Sequence, residues 1–171
     1  MKSALLRQEL LAQAVELPEA CFLELAHLIF DKQENCLIPL LVELLANHRS
    51  VGSIALLREI EQKAGAPLVR NYCSLALYKL GESGPFEERL IDWLEQNEKT
   101  MIIHVKEEQE EERQTRFTLT AEESCRFFIE ALDGLLSRQS HKGVETLIHT
   151  IAYGNPKNRY ALAGLLIRTT E

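Results

Sequence analysis

Residues 66–95, APLVRNYCSLALYKLGESGPFEERLIDWLE, decide how the chain is read. Pro67 opens an apolar helical pattern, Gly81 closes it, and Gly84 and Pro85 start a second helix almost at once, which makes one helical hairpin. In its first helix Cys73, Ala76, Leu77 and Leu80 recur at the three-and-four spacing of a single buried stripe. Asn71, Ser74 and Tyr78 fall on a different face, expected to be free to meet solvent or a partner.

The same construction returns 89 positions later, where Pro156 to Leu166 answers Pro67 to Leu77. Arg159 falls on Arg70, and Leu162, Leu165 and Leu166 fall on Cys73, Ala76 and Leu77. A hairpin repeated with short turns is how a helical solenoid is written. On these residues the stretch resembles a HEAT repeat of the short, HEAT-like branch to which the phycobilisome lyases belong. The matching features are the Val69-Arg70 pair, the small and apolar residues after it, and the Gly-bounded turn into a leucine-containing helix. The resemblance implies stacked helix pairs whose second helices line a curved partner-binding face. It also implies that Arg70 and Arg159 bond within the turns between repeats instead of holding a ligand. A tetratricopeptide array would fit the repeat length, but that family's Trp, Gly, Tyr and Pro pattern is missing.

With 171 residues the chain is long enough for one domain with a substantial core. Hydrophobic residues make up 46% and aromatics only 6%, a Leu, Ile, Val and Ala mixture that suits helix on helix. Residues 134–171 hold five basic and two acidic side chains, net +3, which leaves −10 for residues 1–133 out of a total of −7. That balance argues against a general nucleic-acid binder, because phosphate contacts need a basic stripe. Cys21, Cys36, Cys73 and Cys125 are scattered, with no Cys-x-x-Cys pair, and read as reduced packing residues. Arg7 and Glu9 interrupt the first apolar stretch, so it is no signal-peptide core, and no run approaches the roughly 18 apolar residues of a membrane span. A cytoplasmic protein is expected.

Taken in order, the pattern predicts helices over 2–16, 18–31, 36–47, 51–63, 67–80 and 85–97. Pro18, Pro67, Pro85 and Pro156 each mark a helix start, where a missing amide costs nothing, and Pro39 lies in or near a first turn. Gly65 is expected to end its helix with a positive φ. Alternate helix starts lie 31 to 34 residues apart, a two-helix beat. The beat is lost over 98–119, read as an insertion between repeats: Met101, Ile103 and Val105 alternate with Ile102, His104 and Lys106, and Phe117 and Leu119 with Arg116 and Thr118, which suggests a two-stranded ribbon with a charged tip at 107–112. Thr120 and Glu123 then form a capping box that opens a helix over 121–138 with Phe128, Leu132, Leu135 and Leu136 inward. Helices over 142–152, with Val144, Leu147, Ile148 and Ile151 inward, and over 157–168, capped by Asn155, complete the chain. The last repeat lacks the polar outer face of a terminal repeat, which points to self-association or a longer parent chain.

No catalytic constellation emerges. His27, His48, His104, His141 and His149 make no metal-ligand motif, and each reads as a surface or core histidine. A metal-dependent hydroxylase of the HEAT-like family uses His-Glu dipeptides, and this chain has none. There is no Walker loop, GxGxxG or GxSxG. Repeat type alone carries no catalytic residue over from the bilin lyases. Trp93 reads as core, and the Glu run at 107–112 as a solvated loop.

The sequence therefore predicts an all-α solenoid of about four HEAT-like repeats, eight or nine helices in one domain spanning 1–171, interrupted by a β-ribbon or irregular insertion. It acts as a protein-interaction scaffold without cofactor or metal, binding a protein partner through Asn71, Ser74, Tyr78, Arg126 and Glu130 on second helices, with Ile102 and Phe117 on the ribbon. The alternative is an enzyme or chaperone-type subunit of the bilin lyase kind.

Overall fold

A computed structural model describes residues 2–32, 37–103 and 116–168, with side chains placed over 5–32, 37–103 and 124–168. Among the described residues the chain is all-helical. Its helices are α1 (Lys2–Gln13), α2 (Glu19–Asp31), α3 (Ile38–His48), α4 (Val51–Lys63), α5 (Pro67–Lys79), α6 (Phe86–Asn97), α7 (Arg116–Ser137), α8 (His141–Tyr153) and α9 (Arg159–Arg168). Single 3-10 turns at Ala14–Glu16 and Pro156–Asn158 extend α1 and lead into α9. No described helix is long and apolar enough to cross a membrane.

The prolines set the starts. Pro67 is the first residue of α5 and Pro39 lies in the first turn of α3, while Pro18 and Pro85 stand one residue earlier, at the N-caps of α2 and α6. Ser50 and Ser140 cap α4 and α8 by accepting from the amides of Ser53 (3.0 Å) and Gly143 (2.8 Å). Each hydroxyl satisfies an amide that has no partner within the helix. The C-terminal stops differ from expectation. Gly65 has no positive φ, and the C-cap of α4 is Ala64 in an extended conformation. The left-handed stops are Gly81 after α5, Arg49 after α3 and Gln139 after α7. The turn into Ser50 is short enough to force Arg49 into that region, at a cost a glycine would avoid.

The chain divides into two compact units, Met1–Gly84 and Pro85–Glu171, so the boundary falls inside the stretch read as one hairpin. In the first unit α3 packs on α4, α4 on α5, and each helix also meets the next but one: α1 on α3, α2 on α4, α3 on α5. Phe22, Leu41, Leu45, Leu57 and Leu77 are fully buried there. In the second unit α6 packs on α7 and α8, and α8 on both α7 and α9. Its centre is Leu90, Leu94, Phe127, Phe128, Leu132, Leu135 and Leu147. Trp93 closes this core edge-on to Phe127, with centroids 4.9 Å apart and planes at 83°.

The β-ribbon is corrected: no strand occurs among the described residues. Its second run, Phe117 and Leu119, lies in α7, which begins at Arg116, so Thr120 is an interior helical residue and not a cap. Phe117 precedes Ala121, Ser124 and Phe128 by four, seven and eleven positions, a helical spacing that a few alternating residues imitate. Elongating a helix adds one hydrogen bond per residue fixed, whereas a ribbon must find a partner strand. Of the first run, Met101–Ile103 is irregular, and 104–115, with the acidic tip, lie outside the described residues.

Because Leu77 is wholly enclosed, Leu77→Ala is expected to lower unfolding free energy by roughly 2–5 kcal/mol, the range for truncated buried leucines. Urea denaturation of the two proteins checks this.

Candidate functional site

The predicted partner face on α5 is only partly open. Residues Tyr72 to Leu77 are all buried, because α5 packs against α3 and α4 at once. Ser74 is therefore inside, 0% exposed, and its hydroxyl has no hydrogen-bond partner among the described residues. Asn71 and Tyr78, one at each end of that run, are half-buried and remain reachable. In the second unit, Arg126 and Glu130 form an i,i+4 ion pair on the outside of α7, Nε to Oε1 2.7 Å. Pairs of this kind contribute only tenths of a kcal/mol, roughly 0.3–0.5. Ile102 is exposed at its position after α6, and the side chain of Phe117 lies outside the described residues.

The two turn arginines behave alike. Arg70 Nη2 donates to the Ala64 carbonyl at 2.9 Å, and Arg159 Nη2 donates to the Ala152 carbonyl at 3.4 Å. Each reaches back over the turn to the end of the helix before it, where carbonyls lack intrahelical donors and the helix dipole is negative.

Two recesses open in the first unit. One, of about 230 Å³, lies where the last turns of α2 and α4 meet the start of α5, with Phe30, Ile38, Ile60 and Val69 as floor and His27, Asp31, Glu59 and Lys63 around it. Lys63 donates to Glu59 at 2.6 Å, and this hydrogen bond and charge hold the Glu59 carboxyl below its usual range. The other, of about 320 Å³, is a groove between α1 and α2 floored by Leu10, Leu11, Leu25, Leu28 and Ile29, with Arg7 and Lys32 on its rim.

In the second unit a polar lock replaces the expected strand. Asn158, fully buried, donates from Nδ2 to the Met101 carbonyl and accepts from the Ile103 amide, both at 2.7 Å. One side-chain amide thus serves the backbone as a neighbouring strand would. Beside it the buried Glu98 carboxylate lies 3.0 Å from His149 Nδ1, and Thr150 Oγ1 lies 3.5 Å from it while donating to the Thr146 carbonyl at 2.8 Å. This turns α8: Thr146, Leu147 and Thr150 face inward, and Ile148, expected inside, is exposed. Gly154 completes the corner, since a Cβ there would stand 2.5 Å from the Thr150 carbonyl oxygen and 3.1 Å from that of Glu98. Sequence reasoning passes over Asn158, although it stands where the earlier repeat has Val69. A polar residue at an apolar repeat position is the available signal.

Among the described residues no three His, Cys, Asp or Glu side chains converge to hold a metal. Burial pushes the Cys73 thiol up to about 12, which keeps it protonated and unreactive. Cys21 is exposed and Cys125 half-buried. No protein-family model, curated protein or solved structure matches the chain.

Ser74→Ala should leave stability unchanged or raise it by up to about 1 kcal/mol, since it removes a hydroxyl that was desolvated without compensation. Asn158→Ala should cost about 2–4 kcal/mol by stranding two buried backbone groups, and native-state hydrogen exchange should quicken at the Ile103 amide.

Proposed function

We propose that the protein is a non-catalytic interaction scaffold built from HEAT-like repeats stacked as an α-solenoid. The observation that carries this reading is the packing of each first-unit helix on the next but one. That arrangement sets helices in two rows and leaves each row an outer face with no internal task. The arginines of the two matching turns, each bonded to the preceding helix end, favour the same repeat assignment. A protein partner is taken up by half-open positions on second helices, Asn71 and Tyr78 in one unit and Arg126 and Glu130 in the other. Tyrosine and arginine suit this role because both combine apolar area with a directed polar group.

The second reading, a subunit of the bilin lyase kind, draws on the recess ringed by His27, Asp31, Glu59 and Lys63. Its volume, about 230 Å³, is below the roughly 300–1,000 Å³ of drug-sized ligand sites. Two of its four polar groups also neutralise each other. The scaffold reading stands first.

A partner captured by the unaltered chain should bind Asn71→Ala/Tyr78→Ala or Arg126→Glu about tenfold more weakly, the ~1.4 kcal/mol of one useful interface contact. Equal affinity for all three proteins, measured by titration calorimetry, would remove these positions from the interface.

A further inference from the structure

Residues 2–32 carry five acidic and three basic side chains, yet the groove between α1 and α2 is lined by none of the five acids and by two of the three cations, Arg7 and Lys32. Glu9 and Glu24 stand on the same two helices outside the lining, and Asp31, next to Lys32 in the chain, borders the other recess instead. All else that lines the groove among the described residues is leucine or isoleucine. Both helices lean on α3. Leu11, Ile29 and Leu37 form a buried floor, while Leu10 at 58% and Leu28 at 48% exposure stand as half-open walls. On each helix the cation is the lining residue farthest along the chain from the turn that joins α1 to α2, so apolar surface runs out from the turn and charge stands at the far end.

We propose that this groove binds a fatty acid as its carboxylate, with the alkyl chain over Leu10, Leu25 and Leu28 and the head group between Arg7 and Lys32. An apolar trough with cations at one end complements an apolar chain with an anion at one end. A guanidinium presents five N–H donors in a plane that matches a carboxylate, enough to serve a ligand beside its contacts within the protein, and the lysine adds a point charge. Size favours this occupant over the helix of a partner protein. The groove holds about 320 Å³, within the roughly 300–1,000 Å³ of small-molecule sites. A helix with its side chains is about 10–12 Å across, so it would rest on Leu10 and Leu28 without filling the floor. The stems of Arg7 and Lys32 could also lie over the leucines for their own sake, but a groove arranged only for that would show no preference for an anion.

The site goes beyond the scaffold reading and shares no residue with the Asn71 and Tyr78 face, so either can fail alone. The test is titration calorimetry of the full chain with octanoate, decanoate, dodecanoate and dodecanol, each below its micelle concentration. Affinity should rise up to about fourfold with each added CH₂, the ~0.8 kcal/mol of a buried methylene. Dodecanol should bind about tenfold more weakly than dodecanoate, the ~1.4 kcal/mol of one charge-assisted contact. Arg7→Glu and Lys32→Glu, both at exposed positions, should each weaken dodecanoate about tenfold and leave dodecanol unchanged, with circular dichroism checking that their helices persist. Hydrogen exchange locates the site: bound dodecanoate should slow the amides of residues 7–11 and 25–32. Absence of dodecanoate binding overturns the proposal, as does protection confined to other helices. Equal affinity of the unaltered chain for dodecanol and dodecanoate overturns it too, whatever the variants do, and an affinity for dodecanoate that survives both charge reversals removes the head-group site.

Discussion

Short turns between helices bring carbonyls and amides to the surface of the packing without intrahelical partners, and most of this structure depends on how those groups are answered. Arg70 and Arg159 close over the ends of the preceding helices. Ser50 and Ser140 take amides at the next starts. Asn155 accepts from the Lys157 amide, and Asn158 secures both backbone groups of the segment after α6. Where such a group is buried, as the Ile103 and Gly143 amides are, leaving it unpaired costs about 1–3 kcal/mol, a large part of a domain's margin. Helices joined this tightly can only lie against near neighbours in sequence, which is the packing observed within each unit.

Helix positions are legible in the sequence because two independent signals coincide. Prolines mark four starts and a fifth lies in a first turn, and apolar spacing marks the lengths, so α2 to α6 fall within two residues of the pattern. The helix ends are less legible. A left-handed Arg49 or Gln139 has no letter code of its own, since the conformation is imposed by the short turn into the next helix. The start of α7 imitates a strand because four or five residues can satisfy both periods.

Of the candidate site, Asn71, Tyr78, Arg126 and Glu130 lie where a partner can reach them, and Ser74 does not. A single-stripe reading knows which face of α5 is most apolar but not how many neighbours surround it. Two neighbours, α3 and α4, suffice to bury a serine that nothing in its own helix needed to hide. The threonines of α8 teach the converse. They turn inward toward a carboxylate, Glu98, that lies 52 residues from Thr150 in the chain, and no local pattern announces such a pairing.

Six consecutive residues of α5, Tyr72 to Leu77, are withdrawn from water. A helix enclosed in this way can release its amide protons only when the whole unit around it opens, so it sets the slowest clock in residues 1–84. It is equally the segment where sequence drift is most tightly policed: a polar or bulky replacement at any of the six lands against packed neighbours, while α4 retains a side on which change passes unnoticed. Among diverged copies of this chain, α5 would be the last part to lose its likeness.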